Sequence, residues 1–179
     1  MTGAPGPAQP FDELHLDLPA AHSAVRMARD VVRQFARSNA IRGNELETLV
    51  LVASELLGNA VDHGGGRAAM EEGDLEQPVH VLLDLHINGT GWSLEIADEG
   101  GGEPDEVAAL LHPDGPPDLE DERGRGFYLL AQMVDSLEVR RRVDGRGLIL
   151  RAERKQTPDG SNGGSGAGGG ESAGSDADE

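Results

Sequence analysis

Cysteine is absent from the 179 residues. With it go every disulfide framework and every thiolate metal site, which is compatible with a reducing cytosol. No apolar run approaches the ~20 residues a helix needs to cross a bilayer. Residues 1–10 are rich in Gly, Pro and Ala and carry neither a basic n-region nor an apolar h-region, so no secretory signal peptide is predicted there. The expectation is a cytoplasmic protein that does not associate with membranes. Positive charge is scarce as well: 15 Lys and Arg stand against 33 Asp and Glu, a net charge of −18. Nonspecific nucleic-acid binding needs cations to neutralise phosphates, so direct binding to DNA or RNA is not expected. An acidic domain can still hold a phosphorylated ligand through backbone N–H groups and a metal ion.

Little is apolar at either end. Residues 1–10 and 156–179, the latter mostly Gly, Ser, Asp and Glu, read as disordered segments that cannot offset their ordering entropy. One folded unit over residues 11–155 is predicted between them, with no internal repeat. Leu14, Leu16 and Leu18 alternate as a short strand. A helix to about Asn39 follows, with Ala24, Val25, Ala28, Val31, Val32, Phe35 and Ala36 on one stripe. Arg26, Arg29, Arg33 and Arg37 lie off that stripe, as a solvated face or a basic docking strip for an acidic partner. Asn44 with Glu47 suggests a capping box opening a second helix, which Gly64-Gly65-Gly66 ends. Residues 67–77 read as a polar loop. Val79–Ile87 and Trp92–Ile96 alternate as a hairpin about Asn88-Gly89-Thr90-Gly91. A short helix near Asp105–Leu111, a helix over Gly124–Asp135, and a last hairpin of Leu137–Val143 with Leu148–Glu153 complete the reading.

Three segments carry chemistry. On the second helix, Glu55, Asn59 and Asp62 cluster opposite the apolar face of Leu46, Leu49, Val50, Ala53, Leu57 and Ala60. They share their side with Leu51 and Val52, so that side reads as partly covered, by a ligand cleft or by a buried polar network. Glu55 and Asn59 are one turn apart. A carboxylate there can take a proton from a hydroxyl, and an amide oxygen can ligate Mg²⁺. Next, Asp98 ends the face formed by Trp92, Leu94 and Ile96, just before Gly100-Gly101-Gly102. It is either a buried acceptor for an exocyclic amine or a turn-starting Asp. Last, Gly124-Arg125-Gly126-Phe127 leads into a helix whose N-terminal N–H groups suit a phosphate. The preceding Pro113–Arg123 stretch is long and polar, as a mobile lid would be. No P-loop or dinucleotide fingerprint is present.

In that order, Glu55-Leu-Leu-Gly-Asn59-Ala60-Val-Asp-His63-Gly64, Asp98-x-Gly100-x-Gly102 and Gly124-x-Gly126-Phe-x-Leu-Leu resemble the N, G1 and G2 boxes of the GHKL ATPase superfamily. The small size and the closing Met133-Val-Asp135-Ser-Leu-Glu-Val are most similar to anti-sigma-factor serine/threonine kinases. The resemblance implies a two-layer α/β sandwich of the Bergerat type, with helices on one face of a mixed, mostly antiparallel sheet. It implies ATP and Mg²⁺ as cofactors, with Glu55 as general base and Asn59 as metal ligand. Asp98 would read adenine, and Gly100 and Gly102 would line the base pocket. Asp62, Gly124, Arg125, Gly126 and Phe127 would complete the nucleotide site. His63 would border it, or would simply end the helix beside its dipole. The implied function is transfer of the γ-phosphoryl group to Ser or Thr of an anti-sigma-factor antagonist, sequestration of a sigma factor, or both. Such kinases often assemble as homodimers. The alternative is a non-catalytic regulator whose partner affinity ATP sets. Two departures stand out: the last strand reads Gly145-Arg146-Gly147-Leu148 where the family often has Gly-Thr, and the lid carries Asp118, Glu120, Asp121 and Glu122.

Overall fold

In β2 (His80–Asn88) and β3 (Gly91–Ala97), alternate side chains are buried: Val81, Leu83, Leu85 and Ile87 on one, Trp92, Leu94 and Ile96 on the other. A strand's period of two sends such residues to one face of a sheet. The computed structural model describes residues 12–64, 79–100, 102–111 and 122–155. Its five strands, with β1 (Asp12–Pro19), β4 (Ser136–Arg141) and β5 (Leu148–Lys155), form one sheet in the order β1-β2-β3-β5-β4. Every described pair is antiparallel, so the mixed, mostly antiparallel sheet of the sequence reading resolves to an antiparallel one. The hairpin register is fixed by Asn88↔Gly91. Gly91 sits at φ +145 with its Cα against the Arg154 carbonyl, where a Cβ would come within 2.1 Å of the oxygen.

Helices α1 (His22–Ser38), α2 (Gly43–Asn59), α3 (Pro104–Leu111) and α4 (Glu122–Met133) cover the apolar face of the sheet. Ala24, Ala28, Val32 and Ala36 are the buried stripe of α1. Their small size at the first, second and last of these positions lets α1 lie close to α2, with which it makes its main helical contact. Leu49, Val52, Ala53, Leu56 and Leu57 of α2 are almost fully buried between α1 and the sheet. Together with Leu83, Leu85, Leu94 and Ile96 they form the centre of the core. Pro104 opens α3, where its missing N–H is unneeded, and Asp105 and Glu106 complement the positive end of that helix.

Helix α2 does not open with the expected capping box. Arg42 is its N-cap, with no side-chain cap hydrogen bond, and Asn44 already lies inside the first turn. Glu47 instead pairs with Arg33 of α1 at 2.7 Å, which withdraws it from the capping role. Glu45 does the tying: it accepts the Trp92 indole N–H at 2.6 Å and pairs with Arg154 Nε at 2.9 Å. The start of α2 is thereby fixed to β3 and β5. The covering predicted over the polar side of α2 is only partial: Val52 is buried, but Leu51 is 43 % exposed and Glu55 is exposed. The opposite face of the sheet carries the ion pairs Arg151–Glu95 and Arg140–Glu95 and the hydrogen-bonded pairs His15–Asp84 and His80–Asp17. The loop 67–77, both chain ends and residues 113–121 of the lid lie outside the described residues.

Candidate functional site

Helix α2 does not stop where its polar residues begin. After Asn59 the chain widens into a single π-helical turn, Ala60–Gly64, a local irregularity that often accompanies functional sites. Ala60 and Val61 stay buried under it, while Asp62 is turned outward. This turn, the end of β3, helices α3 and α4 and the start of β5 enclose a cleft of ≈ 300 Å³. Asn59, Asp62, Asp98, Glu103 and Glu106 supply its polar atoms, and Val107, Leu110, Phe127, Leu148 and Leu150 its apolar wall. An apolar slot with a few convergent polar groups is the usual form of a small-molecule site. A wider depression of ≈ 590 Å³ lies on the uncovered sheet face. Its charged walls, such as Arg151 with Glu95 and Glu153, are already paired with one another, and it touches none of the motif residues.

Asp98 is the buried anchor of the cleft, 5 % exposed. Its Oδ1 accepts the N–H of Gly100 at 2.8 Å and that of Leu148 at 3.1 Å. Its own N–H donates to the Leu148 carbonyl at 3.0 Å. An ionised carboxylate can accept about four hydrogen bonds, so these two N–H groups orient it without by themselves exhausting it. Gly102 lies against Leu148, where a Cβ would come within 2.9 Å of that side chain's Cδ1. Glu103 pairs with Arg141 at 2.7 Å, which offsets part of the negative charge around the cleft, and Asp62 Oδ1 lies 3.2 Å from His22 Nε2. Among the described residues no cluster of three or more His, Asp or Glu is arranged to hold a metal ion by itself.

The structure thus gathers Asn59, Asp62, Asp98, Gly102 and Phe127 from distant parts of the chain around one cavity. Gly100 contributes an N–H to the anchor. Glu55 does not line the cleft; it is exposed on α2, one turn before Asn59. His63 belongs to the π-helical turn, and its side chain lies outside the described residues, as does that of Arg125. The last helix, expected over Gly124–Asp135, is found two residues earlier, over Glu122–Met133. Helix α4 starts at Glu122, so Gly124 falls in the first turn and Gly126 just after it. Glycine's poor helix propensity, about 1 kcal/mol against alanine, is a weak preference that packing overrides. Here the buried Phe127 and Leu130 hold the segment down. The sequence reading missed His22, Glu103 and Glu106.

The model of the histidine kinase-like ATPase domain matches residues 18–153, more than half of the chain. The chain belongs to that family. The match begins in β1 and ends in β5, so it takes in every element around the cleft. Among curated relatives, the histidine kinase-like ATPase domain is similar to an anti-sigma F factor of Thermoanaerobacter sp. (strain X514). It is equally similar to one of Thermoanaerobacter pseudethanolicus (strain ATCC 33223 / 39E). Each is 29 % identical over 126 residues, covering 69 % of this chain and 80 % of the relative. Among solved structures, a chain of the SiaB-SiaC complex from Pseudomonas aeruginosa superposes with a TM-score of 0.57. It is 15 % identical, with 78 % of this chain and 89 % of that chain covered. That likeness supports the two-layer fold.

Proposed function

We propose that this domain binds ATP in the α2–α3–α4 cleft and acts as an anti-sigma-factor-type regulator, passing the γ-phosphoryl group to a Ser or Thr of a partner protein. The observation that carries the reading is the convergence of Asn59, Asp62, Asp98, Gly102 and Phe127 on one cavity. It is joined by the family match and the anti-sigma F relatives. Asp98 is suited to accept the 6-amino group of adenine, with Leu148, Leu150 and Val107 as apolar contacts for the ring. Asn59 and Asp62 offer the hard oxygens that Mg²⁺ prefers, at the small number typical where phosphates supply the other ligands. Bound there, Mg²⁺ would neutralise phosphate charge. The N-terminal N–H groups of α4 suit the phosphates. Gly124, Arg125, Gly126 and His63 belong to this proposal as nucleotide neighbours.

In the transfer, the bond between the γ-phosphorus and the β–γ bridging oxygen breaks. A bond from the γ-phosphorus to the partner's hydroxyl oxygen forms, and the hydroxyl proton passes to Glu55 while ADP leaves. Such reactions depend mainly on positioning and electrostatics. An exposed Glu55 outside the cleft is accessible to a hydroxyl presented by a second protein. The proposed partners are a sigma factor and an anti-sigma-factor antagonist, with the homodimer as the proposed assembly and the cytoplasm as its place.

A second reading, an ATP-dependent binding regulator without phosphoryl transfer, draws on the same observation: Glu55 is not among the residues that line the cavity. The experiment that separates the two incubates wild type and Glu55→Gln with labelled ATP, Mg²⁺ and candidate antagonists. Loss of at least about a hundredfold in labelling, with ATP affinity retained, supports the kinase. ATP binding without transfer by either protein supports the second reading.

A further inference from the structure

The β4–β5 hairpin lies outside the three chemistry-bearing segments and reaches across to Asp98. Its turn contains two glycines in the left-handed region, Gly145 at φ +75 and Gly147 at φ +70. They differ in what surrounds them. A Cβ on Gly145 would meet nothing within 4 Å. A Cβ on Gly147 would lie 2.0 Å from the Asp98 carbonyl oxygen and 2.8 Å from its Oδ1. Contacts that short force something to move, and here the obstacles are backbone and a buried carboxylate. Only the missing side chain at 147 lets the hairpin seat Leu148 N–H on Oδ1.

Arg142 closes the same turn from the other side. Its Nη1 donates to the Asp98 carbonyl at 3.4 Å and its backbone N–H to the Gly147 carbonyl at 3.3 Å. Its Nη2 pairs with Asp144 Oδ2 at 3.1 Å, and Asp144 Oδ1 accepts the Arg146 N–H at 3.0 Å. That backbone hydrogen bond, more than the nearby guanidinium groups, holds the Asp144 carboxyl below its ordinary range. The turn is therefore braced within itself and delivers a fixed backbone to Asp98.

We propose that the β4–β5 hairpin sets base specificity: Gly147 and Arg142 are positioning residues that hold the Asp98 carboxylate where it distinguishes a 6-amino purine from a 6-oxo purine. This rests on the reading of the cleft as a nucleotide site. The test compares Gly147→Ala with Gly145→Ala. Both substitutions place an L side chain at positive φ, with similar backbone strain, but only the first collides with Asp98. Full-length wild type and variants are titrated calorimetrically with ATP and with inosine triphosphate, which carries an oxygen in place of the 6-amino group.

Wild type is expected to prefer ATP by about tenfold or more, the worth of a hydrogen bond to a charged group. Gly145→Ala should keep that ratio. Gly147→Ala should bring it near one, with inosine triphosphate affinity within about threefold of wild type because the triphosphate contacts lie elsewhere. A merely structural role would lower both affinities together. Should Gly147→Ala not fold, Arg142→Met decides, with an expected drop of about threefold in the ratio. A wild-type ratio retained in Gly147→Ala, or in Arg142→Met where that variant decides, overturns the inference alone, as does equal loss in Gly145→Ala. Wild type that binds neither nucleotide, or both equally, overturns the reading of the cleft and the inference with it.

Discussion

Replacing Asp98 by alanine and by asparagine separates what its carboxylate does for the fold from what it does for a ligand. In Asp98→Ala the Leu148 N–H loses its acceptor inside a residue that is only 4 % exposed. The Gly100 N–H, at a half-buried residue, can turn to water. One orphaned buried N–H costs about 1–3 kcal/mol, and loss of the charged acceptor adds to it, giving about 2–4 kcal/mol. Asparagine keeps an oxygen for both donors and gives up only the charge, about 1 kcal/mol. For a folded unit of this size each kcal/mol moves the melting temperature by about 4 °C. The expected drops are therefore about 8–16 °C for alanine and about 4 °C for asparagine. The single tryptophan, Trp92, is 4 % exposed beneath α2 and reports unfolding by fluorescence. Asparagine also removes the charged acceptor for a 6-amino group, so the preference for ATP over inosine triphosphate should fall. Equal stability of the two variants, within about 0.5 kcal/mol, would refute the assignment of those N–H groups to the carboxylate.

Other outcomes follow from packing and charge. Leu94→Ala empties a position with no exposure between α2 and the sheet, and urea unfolding should show a loss of about 2–5 kcal/mol. Gly91→Ala drives a Cβ into the Arg154 carbonyl and should destabilise by more than about 1 kcal/mol, with the β2–β3 amides losing hydrogen-exchange protection. His15 is raised above the ordinary histidine value, first by its hydrogen bond to Asp84 and then by that carboxylate's charge. A raised folded-state value means its stabilising effect is fully present below about pH 6.5, the unfolded value, and is lost as pH climbs through the higher folded value. The stability difference between wild type and Asp84→Asn should accordingly be largest near pH 6, shrink towards pH 8.5, and weaken with salt because the pair is exposed.

Alternation and helical period carried the elements. Leu14–Leu18, Val81–Ile87 and Trp92–Ile96 show which strand face is buried, because a side-chain period of two admits no other assignment once one face is apolar. Two of the three chemistry-bearing segments were legible for the same reason: Asp98 stood where the pattern called for an apolar residue, and Asn59 and Asp62 stood off the apolar stripe of α2. Element ends were less legible. Asn44 looked like a cap, yet Arg33 on the neighbouring helix took Glu47 away, a contact between residues 14 apart that no local pattern encodes. The last helix was read from Gly124, yet it begins two residues earlier, at Glu122.

The sequence by itself determined an acidic chain without cysteine, the strand faces and helix stripes, and the polar residues Asn59, Asp62 and Asp98, but not Glu103 and Glu106. Those are properties of composition and spacing, which each segment carries alone. Only the tertiary structure decided that Asn59, Asp98 and Phe127 meet, that Glu55 stands outside their cavity, and that Gly147 abuts Asp98 across 49 residues of chain. Such contacts depend on the strand order β3-β5-β4 and on helix packing. The physical reason is that a side chain's neighbours across a sheet are set by pairing partners far along the chain.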